Sequence, residues 1–162
     1  MAEVTLTPGE TLVIDIETER KKYEFYEATG GTRGKETAKV FIRLARHGRE
    51  HEHLFRDILT DAGGYSPEKT GINFAYLQGI ADSSIYNGHR LSELASKNNL
   101  TDIEAVEAAL AAEKDSILLY TEGRDLIPQK DLGVLDEIIS EAKDHVSKLT
   151  PLLRKLRGET AR

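Results

Sequence analysis

Residues 44–55, LARHGREHEHLF, concentrate side chains that often bind metal ions: three histidines and two glutamates within twelve positions. Imidazole and carboxylate are accepted as ligands by iron, manganese and zinc. The same segment contains a glycine, Gly48, which costs a helix about 1 kcal/mol relative to alanine. The chemistry therefore depends on which of these side chains share one helix face, and on why a glycine lies among them.

Helical geometry separates the side chains of this segment by direction. Successive residues turn by about 100°, so His53 points about 200° away from His51, and Glu50 about 100° to one side. We expect both to face solvent, and we interpret the Glu50-x-x-His53 spacing as a surface feature. His47 lies at the boundary of the buried face, and Gly48 lies on that face one turn before His51. His51 is thus the inward candidate ligand.

Four segments carry apolar residues at alternating spacings of three and four, which predicts amphipathic helices with one buried stripe each. The first covers about residues 9–29, and the second begins near Glu36 and ends before TDAGGYSPEKTG. The third has Asp102 as its N-cap candidate and stops before Pro128, and in the fourth Pro151 predicts a kink or an irregularity. The stripes are Leu12, Ile16, Tyr23 and Tyr26; Phe41, Leu44, His51, Phe55 and Ile58; Ile103, Val106, Leu110, Ile117 and Tyr120; and Leu135, Ile138, His145, Leu149 and Leu152.

The connection between the second and third helices is long, about 40 residues, and predicts one or two shorter helices. A long connection allows the next helix to run parallel to its predecessor, as in bundles with one crossover. We therefore expect an all-α four-helix bundle built from two helical hairpins and a crossover.

The two hairpins are related by an internal repeat with an offset of 94 residues. Apolar positions often agree by chance between helices, so the polar coincidences carry the argument. In each half an inward Glu precedes a Tyr by seven positions and a His by 32. The equivalent pairs are Glu19 and Glu113, Tyr26 and Tyr120, and His51 and His145.

Glu19 and Glu113 both fall within the buried stripes, where an unpartnered carboxylate would cost several kcal/mol or take up a proton. Two explanations remain open from the residues alone. One is a structural polar layer in which the histidines and tyrosines of the repeat bond the carboxylates. The other is a metal site, because carboxylates and imidazoles from facing helices hold the ions of di-iron and di-manganese bundles.

The doubled Glu-x6-Tyr with a following His, together with LAAEKDSILLY and IISEAKDHVSKL, resembles the rubrerythrin-like branch of the ferritin-like superfamily over roughly residues 9–156. The resemblance implies a single domain, 1–162, with a ferritin-like four-helix bundle and an extra helical crossover. It also implies a dimer and a non-haem di-iron site for peroxidase or oxidase chemistry. Because the chain has no cysteine, it lacks the rubredoxin site of classical rubrerythrins.

In that family each hairpin supplies one Glu from its first helix and a Glu-x-x-His from its second, whose Glu bridges the two metal ions. The bridging positions fall on Gly48 and Ala142, so both bridges are replaced. Three outcomes remain open: one ion held by the matching ligands, substitute ligands swinging inward, or a metal-free site. The matching ligands are Glu19, His51, Glu113 and His145; the candidate substitutes are His47 and Glu141; the supporting hydroxyls are those of Tyr26 and Tyr120.

The small residues at the bridging positions predict space beside Gly48, where water, an anion or a neighbouring side chain could lie. If that space faces the four matching ligands, replacing both positions with glutamate should restore charge and bridging geometry. We therefore expect the double substitution Gly48→Glu and Ala142→Glu to raise metal binding toward two ions per bundle.

The net charge and the short apolar runs of the sequence limit the kinds of partner that we expect this protein to bind. A net charge of −6 with a pI near 5.4 argues against nucleic acid as a partner. With no secretory signal and no apolar run of membrane-spanning length, we expect a cytoplasmic protein that does not bind membranes.

Two functions follow as hypotheses. The first is a non-haem iron- or manganese-dependent oxidoreductase with a degenerate di-metal site, which would reduce peroxide or oxygen and draw on an unknown electron donor. The second is a metal-free structural or interaction protein that retains the bundle and has no cofactor. In either case the resemblance implies a homodimer.

Overall fold

The computed structural model describes residues 8–31, 33–61, 79–80, 83–84 and 90–158. These ranges are helical and contain no strand, which confirms the all-α prediction. Two short 3₁₀ turns, Arg124–Leu126 and Gln129–Asp131, connect the last two helices. The helices are α1 Pro8–Gly30, α2 Lys35–Asp61, α3 Arg90–Ala95, α4 Asp102–Glu122 and α5 Leu132–Leu156.

The four long helices form two hairpins that pack on each other. α1 packs along α2, and α4 packs along α5. The hairpins meet where α1 contacts α4 and α2 contacts α5, and the short helix α3 lies against α1. The predicted bundle of two hairpins is confirmed, and α3 is a helix of the predicted crossover. Most of the remaining crossover falls outside the described residues.

The start of α4 lies one residue away from the predicted position. Thr101 is the N-cap: its hydroxyl accepts a hydrogen bond from the Glu104 backbone N–H at 3.1 Å, and the Glu104 carboxylate accepts from the Thr101 N–H at 3.2 Å. This reciprocal capping box satisfies two backbone donors. The prediction of Asp102 as N-cap is therefore wrong. The Asp102 carboxylate instead accepts from the Gly34 N–H at 3.0 Å, which ties the turn between α1 and α2 to α4.

The end of α5 differs less from the prediction. The helix continues through Pro151 to Leu156, so the proline does not terminate it. The preceding Thr150 hydroxyl donates to the Val146 carbonyl at 2.8 Å. The irregularity predicted at Pro151 does not interrupt the helix.

Within the described residues, the core consists of two apolar clusters with a polar layer between them along the bundle axis. One cluster includes Phe41 and Leu149, and the other includes Phe55 and Ile138. Every predicted stripe residue is buried except Ile103 and Ile117, which are partly buried. Among the described residues, none of the helices combines the length and the hydrophobicity of a membrane span.

Candidate functional site

The polar layer takes one or two side chains from each long helix. All of them are at most 3% exposed, although each is polar or charged. The inward face of each long helix is polar at this level and apolar above and below it. These side chains therefore lie together between the two apolar clusters. The central members are Glu19 and Lys22 of α1, His51 of α2, Glu113 of α4 and His145 of α5.

A buried ammonium group lies between the two carboxylates. The Lys22 Nζ is 3.0 Å from Glu19 Oε1 and 3.5 Å from Glu113 Oε2, and Lys22 is 2% exposed. Sequence reasoning missed this lysine because the repeat aligns it with Ser116, so no doubled pattern marks it. The available signal was its position three residues after Glu19, within the angular range of the buried stripe.

Each tyrosine of the repeat bonds the carboxylate of the opposite hairpin. The Tyr26 hydroxyl donates to Glu113 Oε1 at 2.8 Å, and the Tyr120 hydroxyl donates to Glu19 Oε1 at 2.6 Å. The two pairs are equivalent at the repeat offset. The predicted supporting hydroxyls therefore lie at the site, and they link the halves.

His51 uses both ring nitrogens within the protein. Its Nδ1 lies 3.6 Å from Glu19 Oε1, and its Nε2 bonds the Glu141 carboxylate of α5. The Glu141 side chain is 46% exposed, so it reaches the site from the bundle surface. His51 thus connects a buried carboxylate with a solvated one.

His145 repeats this arrangement from the other hairpin. Its Nδ1 is 3.3 Å from Glu113 Oε2, and its Nε2 is 2.7 Å from His47 Nδ1. If the His145 Nδ1–H donates to the carboxylate of Glu113, its Nε2 accepts from the Nδ1–H of His47. The rings of His47 and His145 stack with centroids 5.0 Å apart. His47 and Glu141, which are equivalent in the repeat, have both turned toward the layer.

The titration of the buried groups follows from these contacts. Burial alone would raise the pKa of Glu19, but the Lys22 ammonium and the bonds from His51 and Tyr120 outweigh it and lower the pKa of Glu19 to about 2. Burial also opposes ionisation of Glu113, yet Lys22 and His145 lower its pKa. Both carboxylates are ionised at neutral pH.

The pKa values of the basic partners of these carboxylates, Lys22 and His51, are raised. Burial works against the charged forms of Lys22 and His51, but the pKa of Lys22 is raised by Glu113 and Glu19, and the pKa of His51 is raised by Glu19. For His47, burial and the nearby His145 lower the pKa, which favours the neutral ring.

The residues present do not fit a di-metal centre. The Lys22 ammonium lies between the two carboxylates, and His51 and His145 each use both ring nitrogens within the protein. Among the described residues, no three acidic or histidine side chains converge as ligands of one ion. One potential metal-ligand atom in the layer is still available, because Glu19 Oε2 is buried and has no hydrogen-bond partner.

Gly48 has a packing role. A Cβ built on Gly48 would lie 3.0 Å from the Tyr23 Cβ and 3.6 Å from Glu19 Oε2. The glycine therefore permits the close approach of α1 to α2, and of the three occupants predicted for the space beside it, a neighbouring side chain, that of Tyr23, lies there. Ala142, its equivalent in α5, is 1% exposed.

The surface assignments in α2 are confirmed. Glu50 is exposed, and the His53 side chain is 77% exposed and pairs only loosely with Asp57, at 3.6 Å. A second residue that sequence reasoning missed is Asp15, which is 3% exposed and has an unpartnered Oδ1. Burial and the nearby Glu19 raise the pKa of Asp15 well above its usual value.

Comparison with known proteins identifies one fold. No protein-family model and no curated protein matches the sequence. Among solved structures, the chain is similar to a protein of Thermotoga maritima described as a candidate ferritin-like diiron-carboxylate protein. The two share 24% identity with a TM-score of 0.74 over 94% of this chain and 98% of the other. At that identity the likeness concerns architecture, and this chain has a ferritin-like fold.

Proposed function

We propose that this chain is a ferritin-like bundle that works without a di-metal centre, as a structural or interaction protein. In this proposal Lys22 is the permanent cation between the paired carboxylates. The position of its Nζ, 3.0 Å from Glu19 and 3.5 Å from Glu113, is the observation that carries the proposal.

Electrostatics favours the lysine over an added metal ion. A divalent ion about 4 Å from an ammonium group would be repelled by roughly 8 kcal/mol at an effective dielectric constant of about 20. Metal entry would therefore require Lys22 to leave the layer or to lose its proton. The raised pKa of Lys22 opposes the loss of that proton. The missing bridges at Gly48 and Ala142 remove the carboxylates that would attract a second ion.

The rubrerythrin-like oxidoreductase remains the second candidate. Two features favour it: the free Glu19 Oε2 within a cluster of three histidines, and the fold shared with a protein described as a candidate diiron-carboxylate protein. In this alternative one iron or manganese ion would displace Lys22 and use Glu19, Glu113 and the histidines. The ion would supply redox chemistry, while these residues would hold it.

Metal loading separates the two candidates. The protein is purified without chelator, incubated anaerobically with Fe(II) or Mn(II), desalted and subjected to elemental analysis. We expect substoichiometric metal and no oxo-bridged iron absorption after exposure to oxygen. One or more retained ions per chain would establish the oxidoreductase candidate as the better one.

A matched pair of variants tests the role of Lys22 itself. Lys22→Met removes the ammonium with little change of volume, and Lys114→Met removes an exposed lysine from α4. A ligand that binds only the folded state raises the melting temperature. We expect Mn(II) to raise the melting temperature of Lys22→Met, because its carboxylates lack a cation, and to leave wild type and Lys114→Met unchanged. A comparable rise in wild type would contradict the proposal, and wild type can be measured whether or not Lys22→Met folds.

A further inference from the structure

The exposed charges of α2 and α5 are segregated along the bundle. Between residues 35 and 46 of α2, the exposed charged residues are four basic and one acidic, and the same counts hold between residues 143 and 155 of α5. In the other half of each helix, acidic residues are the majority among the exposed charges. We call the eight basic residues the basic band: Lys35, Lys39, Arg43, Arg46, Lys143, Lys148, Arg154 and Lys155.

The two basic halves lie side by side because α2 and α5 are antiparallel. The Lys155 Nζ near the end of α5 is 2.8 Å from the Glu36 carboxylate at the start of α2. Further along the same pair of helices, His145 contacts His47. The band therefore occupies the outer α2–α5 face at one end of the bundle. Since the whole chain has a net charge of −6, the rest of it is more acidic still.

Most of this positive charge is not compensated within the described residues. The two exposed acidic residues of the region, Glu36 and Asp144, are each held by a lysine of the band at 2.8 Å, and Arg43 also acts on Asp144. The other five cations form no ion pair with a described residue: Lys35, Lys39, Arg46, Lys143 and Arg154.

Helix stability does not explain the basic start of α2. The helix dipole favours anions near the N-terminus and cations near the C-terminus. The basic last turn of α5 follows this preference. In contrast, α2 begins with Lys35, has no basic residue in its last turn and ends on Asp61. The acidic Glu36 in its first turn offsets this only in part, so we look for the role of the band at the protein surface.

An aliphatic side chain protrudes from the middle of the band. Ile42 is 69% exposed, and at about 100° per residue it points within roughly 60° of Lys39 and Arg46. A nucleic-acid backbone offers an aliphatic side chain no contact, and the band contains no aromatic residue on which bases could stack. The headgroup region of a bilayer accepts both cations and aliphatic side chains.

We propose that the basic band and Ile42 attach this protein to the surface of a bilayer that contains anionic phospholipids. Clusters of about four to eight Lys and Arg residues on an amphipathic helix are typical of such surfaces. The ion pair between Glu36 and Lys155 closes the seam between α2 and α5 at this level. The band is therefore an outer face of two packed helices, which suits an extended surface better than a single peptide strand.

The expectation that the protein does not bind membranes rested on the lack of an apolar run of spanning length, whereas surface attachment requires no such run. The lipid surface is a partner for the interaction protein proposed above. Because no residue of the band belongs to the buried polar layer, a failure of vesicle binding would leave the metal-free layer untouched. The metal-loading experiment tests that layer separately.

Vesicle co-sedimentation tests the band with a matched pair of variants. Wild type should sediment with vesicles of equal parts phosphatidylcholine and phosphatidylglycerol, remain in solution with phosphatidylcholine alone, and be released as ionic strength rises, because salt screens exposed charges. Lys39→Glu with Arg46→Glu should weaken the partition coefficient at least tenfold. Lys114→Glu with Lys130→Glu changes the net charge equally at exposed positions outside the band and should leave most of the binding. Circular dichroism checks that both variants remain helical.

The aliphatic contact has its own control. Ile42→Ser should weaken vesicle binding on the order of threefold, because the headgroup region loses an apolar contact. Leu118→Ser removes an apolar side chain that is 42% exposed on α4, outside the band, and should leave binding unchanged.

Three results would overturn the proposal. One is a wild type that does not bind the phosphatidylglycerol vesicles at low ionic strength. Another is an equal loss of binding in the two charge-reversal variants, which would show that net charge alone matters. The third is retardation of duplex DNA in a gel under conditions in which the vesicles are not bound, which would make nucleic acid the partner.

Discussion

The hydroxyl of Tyr120, in the second hairpin, donates a hydrogen bond of 2.6 Å to Glu19 in the first. Tyr26 makes the equivalent bond to Glu113 in the opposite direction, at 2.8 Å. Neither buried carboxylate is satisfied within its own hairpin alone. The polar layer therefore joins the halves of the repeat through contacts that only the assembled bundle provides.

Removal of one hydroxyl tests the strength of this link. Tyr120→Phe leaves the buried Glu19 with one partner fewer, and we expect a loss of about 1–3 kcal/mol in the free energy of unfolding. Urea denaturation measures the change. Tyr23→Phe is the control, because the Tyr23 hydroxyl bonds the partly exposed Glu52, which keeps bonds from Arg20 and Arg56. Equal losses for the two variants would contradict the assigned importance of the buried bond.

Lys22→Met should be the most destabilising single change in the layer. It leaves two buried carboxylates with one positive partner fewer, and breaking a buried ion pair from one side costs about 3–5 kcal/mol. Adding Glu19→Gln and Glu113→Gln removes the unbalanced charges and should recover part of the loss. Denaturant unfolding of the single and triple variants measures both effects. If the triple variant is less stable than the single one, charge balance does not explain the role of Lys22.

Asp15 predicts a pH dependence of stability with a definite sign. Burial raises the pKa of Asp15 in the folded protein, so its contribution to stability is fully present below the unfolded pKa of about 3.9. That contribution is lost as the pH rises through the folded pKa. At neutral pH, Asp15→Asn should be more stable than wild type by about 1–3 kcal/mol, because the substitution removes a buried carboxyl group whose pKa differs between the folded and unfolded states. The difference should shrink toward acid pH in urea denaturation measured at several pH values.

Gly48→Ala tests whether the glycine serves close packing. Helix propensity favours alanine by about 1 kcal/mol, but the new Cβ would lie 3.0 Å from the Tyr23 Cβ. We expect a net loss of about 1–3 kcal/mol from overpacking. Gly133→Ala in α5 is the matched control, because nothing lies within 4 Å of its added Cβ, and that variant should be neutral or slightly stabilised. Thermal unfolding compares the two.

The Tyr23 side chain beside Gly48 and the Lys22 ammonium also affect metal binding by glutamates introduced at the two bridging positions. Gly48→Glu with Ala142→Glu is unfavourable while Lys22 and Tyr23 keep their positions. We expect the double variant to retain no more metal than wild type in the elemental analysis. Metal binding that rises toward two ions per chain would show that the layer can rearrange around both substitutions.

The bundle was predictable because its signals are periodic. The apolar spacings and the doubled polar pattern place Glu19, Glu113, His51 and His145 on inward faces, and the structure has them there. The same angular argument placed His53 on the surface. Such predictions depend only on the direction of a side chain from its own helix axis.

The chemistry of the layer was less predictable because it depends on distances between helices. Lys22 has no equivalent in the repeat, and lysine is almost never fully buried unless it is paired, so its direction alone was weak evidence. The role of Gly48 depends on how closely α1 approaches α2, which the periodicity of α2 does not reveal. Asp15 was missed for the same reason, since its significance lies in the absence of a partner for its Oδ1.

The crossed tyrosine–glutamate bonds have a consequence for the origin of the fold. A single ancestral hairpin with one Glu, one Tyr and one His could have brought the Tyr hydroxyl to its carboxylate by pairing with another copy of itself. Gene duplication and fusion would then have turned an intermolecular bond into an intramolecular one. Once both halves were covalently joined, each was free to diverge, and one half could acquire Lys22 while its counterpart kept Ser116. In a symmetric pair of identical hairpins, every substitution would have appeared in both copies. The asymmetric layer could therefore arise only after the two hairpins were joined.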